Sequence, residues 1–224
     1  DYALHAETFF KADEQPFFLH INYPDAHDPF LPQVDGLPKK PLTGQDVKSL
    51  PYFGIDPPEL RQLVADYYNC MSRLDSLIGD LLAALDRSGK ADNTIVIFSS
   101  DNGGPINQGA TNGKFRAAKG TLYEGGVRVS AFATWAGQIK PGTFIHEPLH
   151  IVDWYPTLLR LAGASPEQKH RPDGLDIWPV LTAGAKSPHD AILLNSTPRN
   201  GAVRMGDWKL VVGGNVADGE DAAP

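Results

Sequence analysis

The apolar positions divide the chain into stretches of different period. Leu60, Leu63, Val64, Tyr67, Met71, Leu74, Ile78, Leu81, Leu82 and Leu85 recur at three- and four-residue spacing. That spacing predicts a helix with one apolar stripe, which Gly89 can end by taking the left-handed conformation. The run T-I-V-I-F-S-S from Thr94 is instead short, continuous and β-branched, the pattern of a strand buried on both faces of a parallel sheet. P-F-F-L-H-I-N-Y from Pro16 has the same character and predicts an earlier strand, which ends in the proline-punctuated loop P-D-A-H-D-P-F-L-P. Residues 127–135 predict a further strand. A short helix is predicted from Trp154, with Asp153 as its N-cap, Pro156 in its first turn and Gly163 at its end. Strand, helix and strand in this order imply an α/β fold. After Gly184 the pattern changes to short strands, A-I-L-L-N and W-K-L-V-V, which predict a small antiparallel appendage. The proline-rich stretch from Leu31 to Pro58 has no period, and an irregular segment of that length suits a functional surface or lid.

Composition narrows the function classes. Apolar residues make up 42% of the 224 and charged residues 21%, so the chain carries enough apolar surface to fold. Lys and Arg number 20 against 27 Asp and Glu, a formal charge of −7. That balance argues against a nucleic-acid module and requires any anionic ligand to meet a local basic patch. One cysteine excludes a disulfide framework within the chain and a Cys-rich zinc site. No apolar run approaches the roughly 18 residues of a membrane-spanning helix. The chain begins at Asp1 without the basic start and apolar stretch of a signal peptide, and stops in the polar, turn-rich G-G-N-V-A-D-G-E-D-A-A-P. A piece of a longer protein is expected at both ends.

Candidate chemistry collects in three loops. In open α/β sheets ligands bind beyond the carboxyl ends of strands. The first predicted strand runs into Asp25, His27 and Asp28, and the second into D-N-G-G at 101–104. Asp101 and Asn102 offer the hard oxygens that calcium or magnesium prefers, with glycines that let backbone approach an ion; the same tetrapeptide is equally an ordinary turn signal. The third loop, R-A-A-K-G-T-L-Y-E-G-G-V-R, together with Lys114 just before it, concentrates Lys114, Arg116, Lys119 and Arg128. Such a loop suits a tetrahedral oxyanion or, read plainly, is a solvated basic face. Cys70 lies beside Met71 on the long helix and reads as a buried, inert thiol.

Taken in order, these stretches resemble the sulfatase family of the alkaline-phosphatase-like superfamily. The resemblance runs from about Pro16 to Val211. It includes P-F-F-L with the loop His, I-V-I-F-S-S-D-N-G-G, A-K-G-T-L-Y-E-G-G-V-R-V, H-I-V-D-W-Y-P-T-L, D-G-L-D-I-W-P-V-L and V-R-M-G-D-W-K-L-V. It implies a mixed sheet flanked by helices, incomplete at the amino terminus, with a partial catalytic α/β domain over 1–184 and the start of a small antiparallel carboxy-terminal subdomain over 185–224. It also implies that Asp101 and Asn102 are two ligands of an active-site calcium, that His27 contacts the sulfate, and that Lys119 bridges sulfate and leaving-group oxygen. Asn22, Asp25 and Arg116 are expected to line the substrate pocket, with Glu124 and Arg128 as supports. The proline-rich stretch and residues 107–115 are expected to shape that pocket.

The departures from the family pattern bear on activity. The family's nucleophile is a cysteine oxidised to formylglycine within C-x-P-x-R or a close variant, whereas the cysteine here reads C-M-S-R-L within a helix. Formylglycine, the Asp-Asp pair that completes the calcium site, and the Lys and His that follow the nucleophile are all expected upstream of residue 1. The expectation is therefore a sulfuric ester hydrolase acting on a sulfate ester or sulfated glycan, inactive as this chain alone and dependent on its amino-terminal segment. The resemblance implies a periplasmic or secreted protein. The alternatives are a phosphate or phosphonate ester hydrolase on the same scaffold, or a non-catalytic sulfated-glycan-binding domain using Lys114, Arg116 and Lys119.

Overall fold

The structure, a computed structural model, describes residues 2–12, 15–106, 110–165 and 167–214. The chain divides into two units, Asp1–Thr94 and Ile95–Pro224. In the first, helix α1 (Tyr2–Ala12) packs against helix α2 (Pro58–Arg87). The long helix follows the apolar stripe, and Gly89 takes φ 72° just beyond it. The stripe is only partly used: Val64, Cys70, Leu74 and Leu85 are buried, while Leu63, Tyr67, Met71 and Leu82 are exposed. The sequence pattern does not predict α1, whose buried face is only Ala6 and Phe10, one turn apart. Phe10 packs with Phe9 and Phe17, and Glu7 ties the helix to Arg87 at 3.1 Å.

Residues 16–23 form no strand, contrary to expectation. A strand exists through pairing, and among the described residues no ladder includes this segment, where Phe18 is 76% exposed. The proline-rich stretch is irregular, as expected, but tied down. Asn69, buried on α2, accepts from Leu42 N at 2.7 Å and donates to Leu42 O at 2.9 Å.

The second unit contains β1 (Val96–Ser99), α3 (Glu124–Val127), β2 (Ala131–Thr134), α4 (Trp154–Leu161), α5 (Trp178–Ala183), β3 (Ile192–Thr197), β4 (Asn200–Met205) and β5 (Trp208–Val212). The β1 strand pairs antiparallel with β2, not in a parallel sheet. A continuous apolar run records burial but not pairing direction, and here the intervening loop turns the chain back so that Phe98 meets Phe132 with rings stacked at 5.0 Å. Val127, read as strand, closes the short helix α3 instead.

Asp153 precedes α4 as predicted, but its side chain makes no cap bond to that helix. It is fully buried and accepts from His150 N at 2.7 Å, Leu175 N at 2.9 Å and His189 Nε2 at 2.8 Å. Thr157 extends the tie, accepting from Ile177 N at 3.0 Å. The H-I-V-D-W-Y-P-T-L and D-G-L-D-I-W-P-V-L stretches are thus fastened to each other by buried polar groups.

The predicted appendage is a three-stranded antiparallel sheet in the order β3-β4-β5. Its central strand β4, with Gly201 and Arg204, lacked the apolar run by which β3 and β5 were read. Helices and strands are mixed along the chain, consistent with an α/β fold, while both sheets of the described residues are antiparallel rather than one mixed sheet. Residues 107–109 of the expected pocket loop and 215–224 of the expected subdomain lie outside the described residues.

Candidate active site

The predicted site residues fall in both units. In the first, Asn22 is exposed, and Asp25 and His27 sit in the loop before the proline-rich stretch. Both oxygens of Asp25 are held by Arg73 of α2, from Nε at 2.7 Å and Nη2 at 2.6 Å, with both side chains nearly buried. Arg73 also donates to Leu31 O at 3.0 Å and to Cys70 Sγ at 3.3 Å. This pairing raises the Arg73 guanidinium above its usual range, while burial pushes the Cys70 thiol up. Asp25, expected to line a pocket, therefore anchors the His27 loop to α2. His27 stays largely exposed, with Nδ1 2.9 Å from Asp28 O and 3.1 Å from Asp28 Oδ1. Its backbone N–H closes a turn onto Pro24 O at 2.8 Å.

In the second unit, the D-N-G-G loop and the A-K-G-T-L-Y-E-G-G-V-R loop interlock through backbone. Gly103 N donates to Gly126 O at 2.9 Å, Lys119 N to Gly104 O at 3.3 Å, and Gly125 N to Arg116 O at 2.8 Å. Asn112 clamps the pair, accepting from Gly104 N at 2.8 Å and donating to Gly104 O and Ala117 O, both at 3.0 Å. The glycines are required by close approach: a Cβ on Gly103 would lie 1.7 Å from Gly125 O, and one on Gly125 would lie 2.1 Å from Ala117 O. Asp101, Asn102, Lys119 and Arg116 are thereby brought onto one backbone framework.

The side chains on that framework have distinct surroundings. Asp101 is exposed and folds onto its neighbour, accepting from Asn102 N at 2.9 Å and Asn102 Nδ2 at 2.7 Å. The Arg116 guanidinium lies 4.1 Å over the Tyr123 ring. Glu124 is paired with Lys209 at 2.9 Å, Arg204 at 3.3 Å and Arg128 at 3.7 Å, tying the loop to the three-stranded sheet. Hard oxygens at Asp101 and Asn102 fit the chemistry of a calcium site, but they amount to two donors, and the described residues contain no cluster of three His, Cys, Asp or Glu able to hold a metal.

Sequence reasoning missed Arg73, Asn69 and Asn112. The first two had a readable signal: each lies on the stripe side of α2 near Cys70, and a polar group at a core position implies a buried partner. Asn112 carried none, because its role depends on a loop closing across eight residues.

Comparison with known proteins identifies the family. A sequence model of the sulfatase family matches residues 1–164. Arylsulfatase J of Mus musculus is 39% identical over 142 residues, covering 63% of this chain and 24% of that protein. Arylsulfatase A of Homo sapiens is 34% identical over 185 residues, covering 81% of this chain and 32% of its own length. Among solved structures, Ps i-CgsB in complex with k-i-k-neocarrahexaose superposes with a TM-score of 0.75 at 27% identity, covering 94% of this chain and 45% of that one. This chain belongs to the sulfatase family. It spans about a quarter to a third of the length of the curated relatives named here.

Proposed function

We propose that this chain supplies the calcium-binding and sulfate-binding loops of a sulfuric ester hydrolase. The observation that carries this reading is the interlock of the 101–104 and 116–126 loops, which sets oxygen donors and Lys119 on one rigid framework. Rigid placement of donors and charge is what a transition state requires of its site. In this reading Asp101 and Asn102 hold a calcium ion through their side-chain oxygens, and further ligands come from an Asp-Asp pair upstream of residue 1. When bound, the ion supplies Lewis-acid polarisation of the sulfate oxygens. His27 donates to the sulfate group from its exposed ring, held in its loop by the Asp25–Arg73 pair. Lys119 donates to sulfate and to the leaving oxygen, offsetting charge as the ester bond breaks.

The nucleophile is a formylglycine carried upstream, since Cys70 is buried in α2 and bonded to Arg73 and Leu31 O. The chain alone is inactive, as positioning without a nucleophile forfeits the covalent route. The substrate is a sulfate ester or N-sulfate, met in the periplasm or outside the cell. The test is hydrolysis of 4-nitrophenyl sulfate by the longer protein that contains this chain, with and without calcium, against Lys119→Ala. Activity that needs calcium and falls by about a hundredfold or more in the variant supports the reading. Turnover indifferent to both calcium and Lys119 refutes it.

A further inference from the structure

The three-stranded sheet is apolar on the face it leaves exposed. Leu193, Val203 and Leu210 stand directly opposite one another across β3, β4 and β5, and Met205 stands opposite Trp208. With Val212 they share one side of the sheet, because side chains two apart along a strand point the same way. The alternate positions form the other side, where Arg204 and Lys209 hold Glu124 and Ala202 is buried. Antiparallel sheets that meet water on one side ordinarily carry polar residues there. This sheet does the reverse. Trp208 is 84% exposed and Leu210 64%, with Leu193, Met205 and Val212 exposed as well. At ordinary side-chain areas the patch comes to roughly 700 Å², more than the largest apolar patch of an ordinary monomer, about 300–600 Å².

We propose that this face is a self-association surface, on which a second copy of the chain lays its own β3-β4-β5 sheet about a two-fold axis. Area favours this occupant: two such patches face to face remove roughly 1,400 Å² from water, within the about 1,200–2,000 Å² of stable interfaces. Charge favours it too. All six side chains are uncharged on a chain of net charge −7, so two copies meet there with the least mutual repulsion. Sheet faces also pack well on one another, about 10 Å apart, and a patch that meets itself closes at two copies. Residues 215–224 could not supply the cover, since they bring Asp218, Glu220 and Asp221 against one large apolar side chain, Val216. Glu124 is held on the opposite side of the sheet, so the copies meet away from the 116–126 loop. Association of this kind needs neither calcium nor a nucleophile.

The test is sedimentation velocity of the full chain up to about 100 µM, a concentration at which an interface of this size is occupied. Leu210→Lys, Leu193→Lys and Phe144→Lys are run beside it. Phe144, 86% exposed elsewhere in the second unit, controls for the added charge. The expected result is a monomer–dimer equilibrium whose dissociation constant Leu210→Lys raises about a hundredfold, because two-fold symmetry introduces the lysine twice at about tenfold apiece. Phe144→Lys is expected to stay within about threefold of the original. Should Leu210→Lys fail to fold by circular dichroism, Leu193→Lys on β3 carries the test. Salt raised from about 50 to about 500 mM is expected to hold or tighten the dimer, since it screens repulsion between acidic copies and spares an apolar contact. A chain that stays monomeric, that assembles beyond two copies, that dissociates with salt, or whose dimer survives both lysines on the sheet overturns the proposal. A monomer that instead binds phosphatidylcholine vesicles also overturns it and gives the face to a lipid surface.

Discussion

Replacing Arg73 by Met tests whether the His27 loop is held by the ion pair on α2. The native Asp25 side chain is 11% exposed and Arg73 6%, and the two are joined by hydrogen bonds of 2.6 and 2.7 Å. Methionine keeps most of the stem volume but leaves the carboxylate without a counter-charge and Leu31 O without its 3.0 Å donor. Stranding one partner of a buried pair costs about 3–5 kcal/mol, which corresponds to a hundredfold or more in the folded-to-unfolded ratio. Removing both charges relieves that penalty, so Asp25→Asn combined with Arg73→Met is expected to be less destabilised than Arg73→Met alone. Urea unfolding at neutral pH, followed by far-ultraviolet circular dichroism, reads the helix on which Arg73 sits. A cost below about 1 kcal/mol for Arg73→Met, or a double variant no more stable than Arg73→Met alone, would refute the reasoning.

Two further outcomes follow from local geometry. Gly103→Ala forces a Cβ to within 1.7 Å of Gly125 O and is expected to destabilise the second unit by about 1–3 kcal/mol or more, whereas Gly79→Ala, inside α2 with open space around its Cα, is expected to stabilise by about 0.5–1 kcal/mol. Thermal melts of opposite sign check the pair, and equal shifts contradict it. Asp56, bonded by Arg61 and Ser49 N, has its carboxyl lowered to about 2 from an ordinary 3.8. Because the folded value is the lower one, its contribution to stability is complete above about pH 4 and fades as pH falls through 2. Carboxyl carbon NMR is expected to place its midpoint near 2, and Arg61→Ala to return it toward the ordinary value.

The long helix was legible because its apolar spacing persists over many turns, and such a period has no other reading. The first predicted strand failed for the opposite reason: P-F-F-L-H-I-N-Y records a preference for extended chain, but pairing is supplied from elsewhere. Asp153 shows a third case. Its position before α4 fits an N-cap, yet three donors from His150, Leu175 and His189 claim its carboxylate, and none of them is near enough in pattern to be read as a set. At the candidate site the two loops that interlock were readable from motif order, while the means of holding them together was not. Asn112 and Arg73 act through carbonyls and carboxylates brought close only by folding.

In the proposed reading, that division between reacting groups and their supports explains why glycine dominates the site loops. Asp101 and Lys119 lie eighteen positions apart, and the framework between them is closed by backbone bonds at Gly103, Gly104 and Gly125. Side-chain contacts could bring the same residues together, but each would add rotamers that must be frozen. Backbone bonds through glycines allow an approach that any Cβ would block, so the donors are placed before a ligand arrives. The cost is intolerance to substitution at positions that touch no substrate. Loss of activity by Gly103→Ala with Asp101 and Lys119 intact is therefore the consequence expected of a site built from preset backbone.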